Sequence, residues 1–491
     1  MITVIVITVI VITVIIITGA KMNKFIGREI ELKNLNRMYN SSNFEMAVVY
    51  GRRRVGKTSL IKQFIVDKPA IYVQGVEATV ETNLRFLSNA ILNFEQPNRI
   101  NKGRTFQDLE EAFEEIQDIA NRQQEKLIFV MDEYPYFAQA ASEISSILQY
   151  VIDHIYKENN NIMLILCGSS MSFMEHQVLG YQSPLYGRKT GQFKIRPFDI
   201  FDTKKMLPKV NDEDLMAYYG ITDGIPQYLS FVDQNLSVPE NIQRMFLMQN
   251  APLQDEPNVL LQEELRKPAT YFSILNALAH GKNKNSQISQ AIGLTGTNSI
   301  SSYLNNLIEL EIIERKQPIL EHNSRKSIYA FKDNLFKFWF KFIAEAQDQI
   351  ALEKTDGILA AIMDELPRFL GPVFEQASKD WLWQQDNLPF YPKKISGWWG
   401  NNPVRHRQEE IDVVAINFNE TEAIVGECKW RNADKLNHEM IDTLMMRATL
   451  LPKIKRTYLY FFTKEYSDNF IKYAREHNVK VVKYQDFFRE G

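Results

Sequence analysis

One segment constrains this chain more than any other: GRRRVGKT, residues 51–58, lies between the apolar run AVVY and the helix-forming run TSLIKQFI. The spacing GxxxxGK[ST], between a strand and a helix, is that of a phosphate loop. Gly51 and Gly56 let the backbone approach an anion closely. Successive N–H groups from Gly51, Arg52, Arg53, Arg54, Val55, Gly56, Lys57, Thr58 and Ser59 can then cradle phosphates at a helix N-terminus. Lys57 is placed to reach the β- and γ-phosphates of ATP, and the Thr58 hydroxyl to hold Mg2+. A chance glycine-rich turn would not need all four key residues in this context.

Such a loop calls for a parallel sheet, and residues 22–205 supply the strands. The runs 47–51, 70–74, 127–133 and 162–170, with 193–198 as a last candidate, alternate with helical stretches and predict βα units. LIFVMDEYP, 127–135, buries four apolar residues and brings its carboxylates out at the C-terminal strand end, where ligands bind in open α/β sheets. There Asp132 would hold the Mg2+ shell and Glu133 would polarise the attacking water.

Resemblance enters with FIGREIE (25–31), LCGSS (166–170) and PLYGR (184–188), which look like the archaeal and bacterial AAA+/STAND-type ATPase family. The likeness runs over nearly the whole chain from Met22. It implies that Gly27, Arg28 and Glu29 lie near the adenine and that Ser169, or its neighbour Ser170, occupies a sensor position. It also implies that Arg188 is a conformational sensor or arginine finger, in cis or in trans from a homo-oligomer partner. GIPQYL (224–229) resembles a GxP motif, with Gly224 and Pro226 at the base. The bland alternatives are a salt-bridged Arg188, a strand-end Ser169 hydroxyl and a simple turn at 224–226.

With 491 residues, about three domains are expected. The fold class is α/β, with a P-loop NTPase sheet (22–205), a helical lid (206–262), a winged helix (263–345) and a restriction-endonuclease-like α/β domain (346–491). The lid stretch reads as polar, with proline breaks. The third helix of the winged helix, about 297–310, would present Asn298, Ser302, Asn305 and Asn306, with Arg325 and Lys326 at the wing tip. It carries no arginine or lysine, and the alternative is that it packs as part of the lid.

A second constellation lies in the C-terminal part: Glu375, Asp412, Glu427 and Lys429. Strands 411–416 and 423–429 flank NFNETE and should form a hairpin. If it is symmetric, Ile416 opposes Ala423 and Asp412 opposes Glu427, an arrangement that repels unless a cation sits between. A divalent metal on Asp412 and Glu427, beside the Lys429 ammonium, would suit attack of water on a phosphodiester. This resembles the PD-(D/E)xK nuclease fold, with Glu375 from the preceding helix, and implies DNA or RNA as partner. The alternative is a catalytically silent, salt-bridged module. Trp398 and Trp399 read as packing residues, not a base-stacking platform.

A formal charge of −3 gives no support to a globally basic nucleic-acid binder. The two cysteines, Cys167 and Cys428, both in apolar runs, suggest a reducing, cytoplasmic setting. Residues 1–21 open with the near-repeat MITVIVITVIVITVIIIT. It is slightly shorter than the roughly 20 apolar residues of a membrane-spanning helix, and no basic stretch precedes it as in a signal peptide. A third reading starts translation at Met22, because MNKFIGREIELKNL begins a globular domain at once. A membrane partner follows only if the apolar stretch is a real anchor.

Overall fold

The computed structural model describes residues 25–96, 105–294, 297–321 and 326–489. The apolar leader at 1–21 and the wing-tip Arg325 lie outside the described residues. Strands β1 (Glu45–Tyr50), β2 (Ala70–Gln74), β3 (Leu127–Asp132), β4 (Ile162–Gly168) and β5 (Gly191–Lys194) form one sheet in the order β2-β3-β4-β1-β5. Its strands pair in parallel throughout. β1, β3 and β4 are buried almost end to end, because helices cover both faces and leave no solvated side. One face packs on Leu87, Phe113 and Leu148, the other on Leu35, Leu60 and Phe64. The C-terminal ends of β1, β3 and β4 therefore share one rim, where the phosphate loop, Asp132 and Ser169 lie.

The stretch 206–262 departs from the polar lid read from sequence. Its helix Asp212–Thr222 is buried at every residue from Leu215 to Thr222. It is packed by the helices Asn334–Phe342 and Asp356–Trp383, and by the shorter helices Ile200–Met206, Pro226–Leu229 and Val238–Ile242. Gly220 makes this possible: a Cβ there would lie 2.6 Å from a methyl of Leu370. The buried Tyr218 hydroxyl is not stranded, since it donates to the Leu236 carbonyl (3.3 Å) and accepts from Asn241 (2.7 Å).

Residues 263–345 form helices Pro268–Ala279, Asn285–Ala291 and Thr297–Glu309, then the antiparallel strands β6 (Ile313–Lys316) and β7 (Ile328–Phe331). Ser302 and Asn305 are exposed, whereas Asn306 donates to the Tyr271 hydroxyl at 2.6 Å. The aromatic helix Asn334–Phe342 follows. After the long helix Asp356–Trp383, strands β8 (Lys394–Asn402), β9 (Arg407–Ile416), β10 (Glu422–Lys429), β11 (Arg456–Thr463) and β12 (Val479–Lys483) make a second sheet in the order β12-β11-β10-β9-β8. β8, β9 and β10 are antiparallel neighbours, while β10, β11 and β12 run parallel. A single apolar core runs from Phe198 and the helix Asp212–Thr222, through Phe338 and Phe374, to Val413 and Phe462 on one face of this sheet. Trp398 is buried against the other face, on a strand and not in a loop. Among the described residues, no helix is long and apolar enough to cross a membrane.

Candidate active site

The phosphate loop leaves β1 at Gly51 and enters the helix Lys57–Ile65. Gly51 cannot be larger, because a Cβ would lie 2.3 Å from the Ile195 carbonyl oxygen. Gly56 takes φ 92°, which only glycine adopts without strain. These two positions turn the loop back on itself and aim the helix N-terminus into a cavity of about 530 Å³. Arg53, Arg54, Lys57, Thr58, Glu133 and Ser169 line it on one side, with Pro226, Gln227 and Ser230 opposite. The volume suits a small-molecule ligand. Gln227 follows the GxP triplet and Ser230 lies outside any motif, so both are visible as lining residues only through this placement.

Lys57 is buried, and its ammonium donates to the carbonyls of Gly51 and Arg52, both at 2.9 Å. Burial pulls its pKa down. Backbone carbonyls thus hold the cation at the mouth of the loop, ready for an anion. Asp132 is fully buried. One carboxylate oxygen accepts from the Thr58 hydroxyl (2.8 Å) and the Tyr72 phenol (2.6 Å), and the other from the Glu133 N–H (3.0 Å). Burial, and then Asp132, push the Tyr72 phenol far up, so it stays a donor. Thr58 and Asp132 are hard oxygen donors, the chemistry Mg2+ takes. Tyr72 escaped the sequence reading because a tyrosine within an apolar strand reads as packing.

Glu133 has φ 49° and begins the helix Tyr134–Ala140. This left-handed turn swings its carboxylate toward β4, where it accepts the Ser169 N–H (3.1 Å) and hydroxyl (2.9 Å). Acid and sensor candidate are therefore one unit. Arg52 turns away from the cavity. It is buried, paired with Asp333, and lies 3.6 Å from Asp223. Burial drives the Asp223 carboxyl above its ordinary range and Asp333 adds to this, while Arg52 opposes both.

In the C-terminal sheet, Ile416 pairs with Ala423, so the hairpin is symmetric as read from its loop. Asp412, Glu427 and Lys429 come together, with Glu375 near enough to raise the Asp412 carboxyl. Burial is the largest cause of that rise, followed by Glu427. The charge between the carboxylates comes from the protein. Arg447 donates to both Glu427 oxygens (3.2 and 2.9 Å) and to Glu409 (3.0 Å), and Lys429 pairs with Glu427. One Asp412 oxygen accepts the Cys428 N–H at 2.8 Å. Among the described residues no three His, Cys, Asp or Glu side chains gather as a metal-ligand group. The shared-metal expectation for Asp412 and Glu427 therefore meets a site in which both Glu427 oxygens and one Asp412 oxygen are already engaged. Arg447 lies 20 positions beyond Glu427, on the helix His438–Ala448, and left no sequence signal.

Residues 25–232 match the family described as an ATPase domain predominantly from Archaea, and residues 339–441 match archaeal and bacterial proteins of unknown function. The uncharacterized protein MJECL04 of Methanocaldococcus jannaschii is 35% identical over 412 residues, covering 83% of this chain and 88% of that one. The chain belongs to this archaeal-type ATPase family. A second relative, the uncharacterized ATP-binding protein MJ0423 of the same organism, is 48% identical over 44 residues, 9% of this chain and 75% of its own. Among solved structures, the Walker-type ATPase PABY2304 of Pyrococcus abyssi covers 65% of this chain and 96% of its own at 21% identity, with a TM-score of 0.48. The Aeropyrum pernix ORC2 protein covers 70% and 98% at 14% identity, with a TM-score of 0.45.

The ATPase binds and hydrolyses ATP through its phosphate loop. Several residues that the family likeness placed near the nucleotide are not among those lining the cavity. Gly27, Arg28 and Glu29 are not among the residues lining the 530 Å³ cavity. Arg28 stacks on Phe198 and donates to the carbonyls of Val55 (3.1 Å) and Arg196, tying the loop from behind. Glu29 is exposed and lies 3.4 Å from Lys205. Arg188 also lies off the cavity lining, held by Asp153 and by the carbonyls of Pro184 and Tyr186. Ser170 begins the next helical turn, and Ser169 alone of the pair faces the cavity. Gly224 has φ 64° and backs onto Phe198, where a Cβ would lie 2.1 Å from its carbonyl. That tight turn lets Pro226 open a short helix on the cavity wall.

Proposed function

We propose that this ATPase is a nucleotide-controlled switch whose downstream domains, a winged helix and a PD-(D/E)xK-like module, change posture with the state of the phosphate loop. The observation that carries the reading is the buried pairing of Arg52, inside the loop, with Asp333. Asp333 also caps the helix Asn334–Phe342 by accepting the Phe336 N–H at 2.9 Å, and Asp223 accepts the Asn334 N–H at 3.0 Å. A shift of the loop on binding ATP with Mg2+ on Thr58 and Asp132 therefore acts directly on a helix end in the shared core. Glu133 activates the water. The C-terminal module acts by binding, with DNA or RNA as the partner its fold likeness suggests. The engagement of Glu427 by Arg447 supports a non-cleaving role.

A second reading keeps the module as a nuclease. It is favoured by the raised Asp412 carboxyl beside Glu375, Glu427 and Lys429, the charge pattern of a site awaiting a cation. One experiment separates the two: plasmid, linear DNA and RNA incubated with the full chain, with and without ATP, in Mg2+ and in Mn2+, with binding and cleavage both scored. Binding that depends on ATP, without cleavage, is the expected result. Cleavage lost in Lys429→Ala would establish the nuclease. Nucleic acid neither bound nor cut in any nucleotide state would remove both readings of the module.

A further inference from the structure

Three arginines in succession are more than a phosphate cradle needs, since backbone N–H groups and Lys57 already supply its positive field. Arg52 is accounted for by Asp333. Arg53 and Arg54 both line the nucleotide cavity, yet neither is free. Arg53 donates to Glu264 at 2.9 Å and lies 3.0 Å from Glu263, while Arg54 pairs with Glu256. Glu256, Glu263 and Glu264 all belong to one helix, Glu256–Glu264. Glu256 and Glu264 stand eight positions apart, on the same stripe of the helix. The phosphate loop thus holds both ends of a single downstream helix by its cavity-lining arginines.

The two ends differ in kind. Glu256 sits in the first turn, where the helix dipole favours an anion, and its carboxylate also accepts the Tyr228 phenol at 2.6 Å. Glu263 and Glu264 sit at the last residues, where the dipole opposes them and no basic residue of the helix compensates. Burial pushes the Glu264 carboxyl above its ordinary range, and Arg53 is the largest influence holding it down. Burial also works against the Arg53 charge, and Glu264 and Glu263 outweigh it, so its pKa rises. Without Arg53, two carboxylates would stand at the negative end of a short helix with nothing to hold them.

We propose that Arg53 and Arg54 read the terminal phosphate of ATP, with Glu264 and Glu256 as their resting partners, so that triphosphate binding exchanges carboxylate for phosphate and loosens the helix Glu256–Glu264. A guanidinium binds phosphate and carboxylate through the same bidentate fork, and a phosphate bearing more than one negative charge outcompetes a carboxylate. ADP lacks that group and leaves the arginines on the helix. Glu256 and Glu264 are in this sense positioning residues, setting how strongly the site distinguishes ATP from ADP. The inference rests on the switch reading and names its first moving part.

The test uses the full chain carrying Glu133→Gln, so that bound ATP persists. Affinities for ATP·Mg2+ and ADP·Mg2+ are measured by titration calorimetry, and amide hydrogen exchange is followed across 256–265 in each state. ATP should speed exchange at the C-terminal turn by about tenfold, a local opening of this helix and not of the sheet. ADP should not. Glu256→Gln with Glu264→Gln should make that exchange fast and indifferent to nucleotide. It should also tighten ATP by about fivefold while leaving ADP unchanged, since each pair removed is a partly exposed ion pair. ATP bound with unchanged exchange, or ATP and ADP tightened equally, would overturn the latch and leave the ATPase intact. Failure to bind ATP at all would instead remove the nucleotide-site reading beneath it.

Discussion

The Glu133 carboxylate accepts both the N–H and the hydroxyl of Ser169, at 3.1 and 2.9 Å, across the gap between β3 and β4. That pairing fixes the direction of the acid without neutralising it, because both donors are uncharged. Glu133→Gln should bind ATP normally and lose hydrolysis, since only the group that polarises water is removed. Ser169→Ala keeps the N–H and loses the hydroxyl, so the acid is aimed less well. A fall in kcat of about tenfold with KM nearly unchanged is expected, the signature of lost positioning. Steady-state phosphate release measures both. Equal losses in kcat and in ATP affinity for Ser169→Ala would point to nucleotide contact instead.

Lys57 makes a different kind of contribution. Its ammonium is buried and held by the carbonyls of Gly51 and Arg52. Lys57→Ala should abolish ATP binding or weaken it severely in calorimetry, because the ammonium meets the phosphates directly from the helix N-terminus. The change also removes a desolvated cation, so the melting temperature without nucleotide should fall little. A large fall would mean that Lys57 is mainly a structural brace of the loop.

Arg52 should behave in the opposite manner. It pairs with Asp333, which is 0% exposed, and Arg52→Ala would strand that carboxylate beside Asp223. Breaking a buried pair by removing one partner costs about 3–5 kcal/mol. Asp333→Asn added to Arg52→Ala should recover part of the loss while keeping the helix cap. The sign with pH follows from the raised Asp223 carboxyl. A carboxyl raised in the folded chain takes up a proton there before the unfolded chain does. Stability therefore falls as pH rises from the ordinary carboxyl range through the raised value, and the fall steepens once Arg52 is gone. Melting curves from acidic to mildly alkaline pH would show it. A pH-independent loss in Arg52→Ala would contradict the assignment.

These contacts also mark where the sequence stopped being readable. β1, β3 and β4 were legible because strands covered on both faces must be apolar throughout, and the hairpin register followed from the length of NFNETE. The helix Asp212–Thr222 was not. Its acidic first turn, two tyrosines and a glycine read as polar, and its burial is decided by helices that come over 100 residues later. Separation along the chain likewise hid Asp333 from Arg52, 281 positions away, and at shorter range Asp132 from Tyr72 (60) and Arg447 from Glu427 (20). A motif reports which groups a site needs, whereas a counter-charge can come from any element that packs nearby. Arg188, too, finds a counter-charge that its motif does not report: it pairs with Asp153, 35 positions away, off the cavity lining of its own chain.

Arg447 decides what the C-terminal constellation can hold. Asp412 is raised by burial, by Glu427 and by Glu375, with Lys429 opposing, so its carboxylate is costly in the folded chain. Asp412→Asn removes that cost and should raise the melting temperature above neutral pH, the gain shrinking as pH falls toward about 4, where an ordinary carboxyl protonates. Arg447→Ala does the reverse, leaving buried Glu427 with Lys429 alone, and should destabilise by about 2 kcal/mol. Mn2+ then becomes informative. In the wild-type chain the guanidinium occupies the Glu427 oxygens, so millimolar Mn2+ should leave the melting temperature of this module unchanged. In Arg447→Ala one Glu427 oxygen is released beside Asp412 while Lys429 keeps the other, and Mn2+ should restore part of the loss by mass action. Asp412→Asn added to Arg447→Ala should cancel the rescue, which separates this site from Thr58 and Asp132. A wild-type module that Mn2+ stabilises, with the effect lost in Asp412→Asn, would show that a metal displaces Arg447 and would return the nuclease to first place.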